Sequence, residues 1–265
     1  MNTNLLFFRL KSWMLYQFRS RHYKGFGIHS PFVFHLVREL FWESHPFYAF
    51  EKIDAARKML LRNKQKVNVS TLGMPSVISG KQKSIRKLID GGSIPDKYGK
   101  LVFRLVNYLA CETILELGTG TGMGTLYLAL PSSKAKVFSI DGNRDLHRVA
   151  QNVFEITGIS NVELVTGAFN EHLPGILDNF EQLDFVVFDG DHQYQSTIDY
   201  FEICLKKIHN LSVFVFDDIH WSPDMEKAWK EITGRSEVTI SIDLFRMGLV
   251  LFRKECTKQH YVLRY

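Results

Sequence analysis

Thr113-Ile114-Leu115-Glu116-Leu117-Gly118-Thr119-Gly120-Thr121-Gly122-Met123-Gly124 is the stretch on which the fold class of this 265-residue chain turns. Five residues of strand character run straight into alternate glycines and then into a helical pattern. Glycines at such a junction let the backbone turn tightly and approach a ligand, while the helix start offers free N–H groups to an anion. A dinucleotide fingerprint, GxGxxG, needs its third glycine where Met123 stands, so that register is not met.

Working outward, β-branched runs alternate with amphipathic helical stretches from Ile114 onward, the pattern of a parallel sheet covered by helices. The runs predict strands at 113–117, 136–141, 162–166, 183–188, 212–217, 238–244 and 248–253. Between them the periodicity predicts helices at about 122–130, 143–157, 170–178, 194–208 and 223–233, with stops at Pro131, Gly158 and Gly234. Only about Phe245-Arg246-Met247 separates the last two strands, too short for a parallel crossover, so they must pair antiparallel. The expected architecture is α/β, a Rossmann-like, seven-stranded, mostly parallel sheet ending in an antiparallel C-terminal hairpin. An all-parallel dinucleotide-binding sheet has no such ending.

Glycines at 118, 120 and 122 with Glu116 two residues ahead suit S-adenosyl-L-methionine, whose methionyl carboxylate would meet the helix start. The second strand ends Phe138-Ser139-Ile140-Asp141-Gly142, placing a carboxylate beside the glycine loop where it can accept from ribose hydroxyls. An aspartate there is also a common turn former. The third ends Val165-Thr166-Gly167-Ala168-Phe169, whose small pair allows close packing under an adenine ring. The cofactor set read from these loops is Glu116, Gly118, Thr119, Gly120, Gly122, Asp141, Gly142, Gly167, Ala168 and Asp189.

Residues 1–110 have a different character, with helical patterns at about 3–21, 31–43, 47–62 and 97–110 and a basic loop around 63–96. They carry 19 Lys/Arg against 6 Asp/Glu, whereas 111–265 carry 14 against 22. The expected division is a helical, basic N-terminal extension with a lid loop, 1–96, and a cofactor-binding domain, 97–265. Residues 1–38 hold Arg9, Lys11, Arg19, Arg21, Lys24 and Arg38 and no acidic residue, interleaved with aromatics. Such a segment can pack on the catalytic domain, form a homodimer through its helices, or contact a membrane peripherally. Lys81, Lys83, Arg86 and Lys87 are the basic residues of the lid. With 45% hydrophobic and 23% charged residues the chain is an ordinary globular one, not a disordered one. Cys111, Cys204 and Cys256 are too scattered for a disulfide framework or a zinc site, and Arg9 and Lys11 break the most apolar N-terminal stretch. A cytoplasmic protein is expected.

The order of motifs over about 97–253 resembles the class I S-adenosylmethionine-dependent methyltransferases, particularly the catechol and caffeoyl-CoA O-methyltransferase group. The resemblance rests on Lys97-Tyr98-Gly99-Lys100, Ile114 to Gly118, Ser139 to Asp141, Val162 to Ala168, Phe188-Asp189-Gly190-Asp191-His192 and Phe216-Asp217-Asp218. The N-terminal Gly27-Ile28-His29-Ser30-Pro31-Phe32-Val33-Phe34 is similar to that of bacterial methyltransferases with a helical extension. In the catechol-type family an Asp after strand four and an Asp-Asn pair after strand five bind Mg2+ against vicinal substrate oxygens. Asp189, Asp217 and Asp218 match those places, with Asp218 standing for the Asn, and three carboxylates are chemically suited to a hard cation. His192 stands where these enzymes place a catalytic Lys.

An imidazole can take the proton of an acceptor hydroxyl, so His192, with Asp191, is the catalytic candidate and His220 the alternative base. The expected activity is methyl transfer to a small-molecule hydroxyl, with Mg2+ assistance implied by the resemblance. A nucleic-acid methyltransferase using the basic segment and a non-catalytic cofactor-binding or membrane-associated module are the competing readings.

Overall fold

The computed structural model describes residues 3–69 and 81–265. In chain order the elements are α1 (Thr3–Arg19), α2 (Pro31–Leu36, continued by a π-helical turn at Val37–Phe41), α3 (Tyr48–Arg62), β1 (Lys66–Val69), β2 (Lys81–Ser84), α4 (Ile85–Gly92), α5 (Asp96–Tyr108), β3 (Thr113–Leu117), α6 (Met123–Ala129), β4 (Lys136–Asp141), α7 (Arg144–Thr157), β5 (Val162–Thr166), α8 (Phe169–Leu177), β6 (Leu183–Phe188), α9 (Tyr194–Leu205), β7 (Ile208–Asp217), α10 (Pro223–Gly234), β8 (Ile240–Asp243), β9 (Met247–Leu251) and β10 (Gln259–Val262).

The main sheet is mostly parallel, with strand order β10-β8-β9-β7-β6-β3-β4-β5. β4 is parallel to both β3 and β5, whereas β9 is antiparallel to both β7 and β8, so the terminal hairpin forms as its short turn requires. The sheet has eight strands rather than the expected seven. The additional strand, β10, pairs parallel with β8 at the edge. Its sequence, Gln259-His260-Tyr261-Val262, lacks the apolar run that marks the other strands, because an edge strand needs little burial.

The backbone divides into two compact units, residues 45–186 and residues 1–44 with 187–265. In the first, the apolar side chains of β3 (Ile114, Leu115, Leu117) are fully enclosed. Asn143 caps α7 by accepting from the N–H groups of Asp145 and Leu146, and Gly158 closes that helix in the left-handed conformation glycine tolerates. The expected basic loop at 63–96 is instead a strand pair, β1 with β2 antiparallel, followed by α4. Alternate burial along Lys66-Val67-Asn68-Val69 marks the first strand, a four-residue signal too short to stand out among lysines. Its end is tied to α7: Asn143 donates to the carbonyl of Asn68, and the Asn68 N–H donates to Asp145. Residues 70–80 of the expected lid lie outside the described residues.

Gly99 of α5 faces the ring of Tyr127 so closely that a Cβ there would lie 2.3 Å from a ring carbon. Tyr127 cannot yield, being fully buried and donating its hydroxyl proton to Asp96. Overpacking at such a contact costs about 1–3 kcal/mol, against about 1 kcal/mol that alanine gains over glycine in a helix. Gly99→Ala is therefore expected to lower the urea midpoint of unfolding. An unchanged or raised midpoint would mean that α6 shifts freely.

In the second unit, Phe188 and Phe216 stack at 4.4 Å, and Phe201 and Phe214 close the same aromatic core. No helix among the described residues is long and apolar enough to cross a membrane.

Candidate functional site

The glycine loop after β3 adopts the conformations its composition anticipates. Gly118, Gly120 and Gly122 all have positive φ, at 115°, 51° and 81°. A Cβ on Gly122 would press on Ala150 and Phe154 of α7 at 3.0 Å, so this glycine serves packing. Around Gly120 a Cβ would meet nothing within 4 Å, so that glycine leaves open space against the backbone.

Beneath the loop lies a buried polar chain. Thr119 and Ser139 hydroxyls share a hydrogen bond, and Ser139 and Thr125 both donate to Oε2 of Glu116, at 2.5 and 2.6 Å. Glu116 is only 3% exposed, and burial pushes its carboxyl up to about 7 despite the two hydroxyl donors. Its role in the described structure is to brace the loop from below.

Asp141, at the tip of β4, binds the same loop directly. One carboxylate oxygen accepts from the N–H of Gly120 and the other from the N–H of Asn143, both at 2.8 Å, and Gly142 lies in the turn between. Burial raises its pKa, and the two backbone donors oppose that. Thus Glu116, Thr119, Gly120 and Asp141 are brought together as the sequence pattern requires. At Gly167 a Cβ would lie 2.1 Å from Nε2 of His172, so its small size admits an imidazole of α8. The packing of an adenine ring against Gly167 and Ala168 would have to include His172, which the sequence pattern did not single out.

A pH dependence of stability follows from Glu116. Its folded value lies above that of an exposed carboxyl, so the folded state holds a proton that the unfolded chain releases, and stability falls as pH rises from about 4.5 to about 7. Glu116→Gln, uncharged throughout, is expected to match the parent near pH 5 and exceed it in denaturant resistance near pH 8. Equal stability at both values would place the proton elsewhere.

The loops after β6 and β7 carry the second group of candidates. Asp191, His192 and Asp218 are non-glycine residues with φ of 65°, 42° and 54°. Such left-handed residues each cost of order 1 kcal/mol and persist only where surrounding contacts enforce them. Among those contacts, the His192 N–H donates to the Gly190 carbonyl, and Gln193 donates to Asp191. His192 Nε2 lies 3.7 Å from Asp189 Oδ1, beyond hydrogen-bond distance.

The set Asp189, Asp217 and Asp218 does not fit the expected Mg2+. Arg246 donates through Nε and Nη2 to the two oxygens of Asp217, at 3.2 and 3.1 Å, and its Nε lies 3.7 Å from Asp218. This two-pronged pairing occupies the carboxylate that a metal would need, with a positive charge that would repel one. No group of three or more His, Cys, Asp or Glu suited to a metal occurs among the described residues. Arg246 is aimed by a strained turn: its N–H donates to Leu244, and the intervening Phe245 has φ of 71°. A lone arginine in an apolar hairpin was the available sequence signal. Asp218 is pushed up to about 6 by burial and by Asp217, while Arg246, His192 and Arg9 pull it back.

His220, the alternative base, is committed elsewhere. Nε2 lies 2.8 Å from Asp243, Nδ1 lies 3.3 Å from Glu226, and the ring stacks on Phe245. Burial pulls its pKa down, but the hydrogen bond and charge of Asp243, followed by Glu226, outweigh burial and raise it. With a carboxylate against each nitrogen, both ring positions are already partnered.

Residues 115–219 match a family model described as a methyltransferase domain. Catechol O-methyltransferase B of Danio rerio is 32% identical over 136 residues, covering 48% of this chain and 51% of that protein. The chain spans between 47% and 59% of the length of the curated relatives it matches. Among solved structures, an O-methyltransferase from Bacillus cereus in complex with SAH superposes with TM-score 0.52 at 22% identity, over 61% of this chain and 83% of that one. The O-methyltransferase TomG from Streptomyces achromogenes, in complex with SAM, does so with TM-score 0.56 at 20% identity, over 79% and 91%. The glycine loop with its acidic braces, the parallel sheet with one reversed strand and these likenesses agree: residues 115–219 are similar to a methyltransferase domain, on a Rossmann-like fold that the solved structures share.

Proposed function

We propose that this chain transfers the methyl group of S-adenosyl-L-methionine to a hydroxyl oxygen of a small molecule, without a metal ion. Residues 97–265 serve as the cofactor-binding domain and 1–96 as its extension. The observation that carries the reading is the strained acidic loop pair holding Asp191, His192 and Asp218, since such backbone is retained where function requires it.

The cofactor fits the first group of residues. Gly118 and Gly120 would take the cofactor against the loop backbone, Gly122 packs the loop on α7, Thr119 and Glu116 brace it from beneath, and Asp141 and Gly142 would take the ribose hydroxyls. Gly167 and Ala168 complete the proposed contacts within that unit. When bound, the cofactor supplies a methyl carbon on a sulfonium, an electrophile that needs no further activation.

The remaining work falls to the acceptor. His192 takes the hydroxyl proton, with the carboxylate of Asp189 3.7 Å from its Nε2. The freed oxygen pair forms the bond to the methyl carbon, while the pair of the broken carbon–sulfur bond stays on sulfur. Arg246 supplies positive charge beside the oxygen as it becomes anionic, the role that a metal has in the catechol-type family.

The test is transfer of labelled methyl from the cofactor to a panel of hydroxylated aromatic and aliphatic compounds in the presence of EDTA. A methyl ether product supports the reading. Transfer confined to RNA or DNA, with strongly salt-dependent binding, would replace the acceptor class. Saturable cofactor binding with no turnover across the panel would make the domain a non-catalytic module.

A further inference from the structure

The N-terminal helix α1 is amphipathic in an unusual sense, because polar atoms attach it to its own unit. Arg9 donates to the Trp221 carbonyl and lies over the Trp221 ring, Ser12 donates to Glu226, and Tyr16 donates to the Leu263 carbonyl. The apolar side chains face outward. Phe7, Leu10, Met14 and Phe18 fall on one stripe of the helix and are 70%, 54%, 43% and 82% exposed, and Phe26 just beyond is 87% exposed. An ordinary surface helix has the reverse arrangement, and a contiguous apolar stripe of this kind marks an interaction surface.

The charges around the stripe select its occupant. Lys11, Arg19, Arg21 and Lys24 are all exposed, and no acidic residue occurs in 1–38. Two copies of this face packed together would bring these cations against one another with no carboxylate of the segment between them. A polyanion alone would use the cations but leave the phenylalanines in water. An anionic bilayer answers both, taking aromatic and aliphatic side chains into its boundary while its headgroups meet the lysines and arginines. We propose that α1 and the following turn dock this protein on the surface of an anionic membrane, lying in the plane of the interface. The proposal stands apart from the methyl-transfer reading and does not depend on it.

The experiment is flotation of the full chain with phosphatidylcholine vesicles and with mixed phosphatidylcholine–phosphatidylglycerol vesicles. Binding to the mixed vesicles is expected to be at least about tenfold tighter and to weaken with salt. The double variant Phe7→Ser/Phe18→Ser is expected to lose most of this binding with an unchanged unfolding midpoint, since both rings are exposed. Lys11→Glu/Arg19→Glu is expected to lose the preference for the anionic lipid. Absence of binding to either vesicle, or binding unaltered in the serine variant, would overturn the proposal. So would a dimer in light scattering that the serine variant dissociates, because that would assign the stripe to a second copy.

Discussion

Replacing His192 with alanine is expected to lower kcat for methyl transfer by about 10²–10⁴-fold, the usual contribution of a positioned proton acceptor. Cofactor binding should remain, since the polar chain through Glu116, Ser139 and Thr125 and the bond from Gly120 to Asp141 do not involve His192. Titration calorimetry with adenosylhomocysteine separates the two effects. If turnover were intact, His192 would have no part in the chemistry. If turnover and cofactor affinity fell together, its role would be to shape the loop, an outcome made plausible to test by its left-handed backbone. His192→Asn, which also tolerates that conformation, distinguishes lost base from lost loop.

Arg246→Met is the substitution with the largest expected effect on stability. It leaves Asp217, whose side chain is 5% exposed, as a buried carboxylate without its two-pronged partner. Breaking such a pair costs about 3–5 kcal/mol. Arg246 is itself 31% exposed, so water offsets part of that and the lower end of the range applies. The loss should also be larger at pH 8 than at pH 5. Arg246 holds Asp218 down from the value that burial and Asp217 impose. Without it the folded state binds protons more tightly, and stability falls more steeply as pH rises from the ordinary carboxylate range through about 6 and above. Denaturant melts at the two pH values check this, and Arg246→Met/Asp217→Asn should recover much of the loss. A single variant as stable as the parent at pH 8 would show the pair to be dispensable. Magnesium titration adds a second check: turnover of the parent should not respond to the metal or to EDTA, and a strict requirement would overturn the role given to Arg246.

The charge division along the chain was plain in the sequence, but its meaning was not. The lysines of 63–96 suggested an irregular loop, whereas Lys66 and Lys83 lie on a strand pair and Arg86 and Lys87 on a helix. A cluster of like charges says that side chains face water; it does not say whether the backbone beneath them is regular. Similarly, the aromatic N-terminal stretch was legible as an amphipathic helix. That its polar stripe faces inward depended on partners at Trp221, Glu226 and Leu263, more than two hundred residues away.

By itself the sequence determined the class of the sheet, the strand-to-glycine-to-helix junction and the reversal of the last hairpin. These are local consequences of residue spacing: period-two burial, glycine's access to positive φ, and a turn too short for a crossover. The tertiary structure alone decided the state of the acidic residues. Asp217 meets Arg246 29 residues later, His220 meets Asp243 23 residues later, and Asn68 meets Asp145 77 residues later. Whether a carboxylate can bind a metal, hold an imidazolium or close a helix depends on which charge and which N–H lie within about 3 Å of it. That distance is set by long-range packing, which no local pattern records.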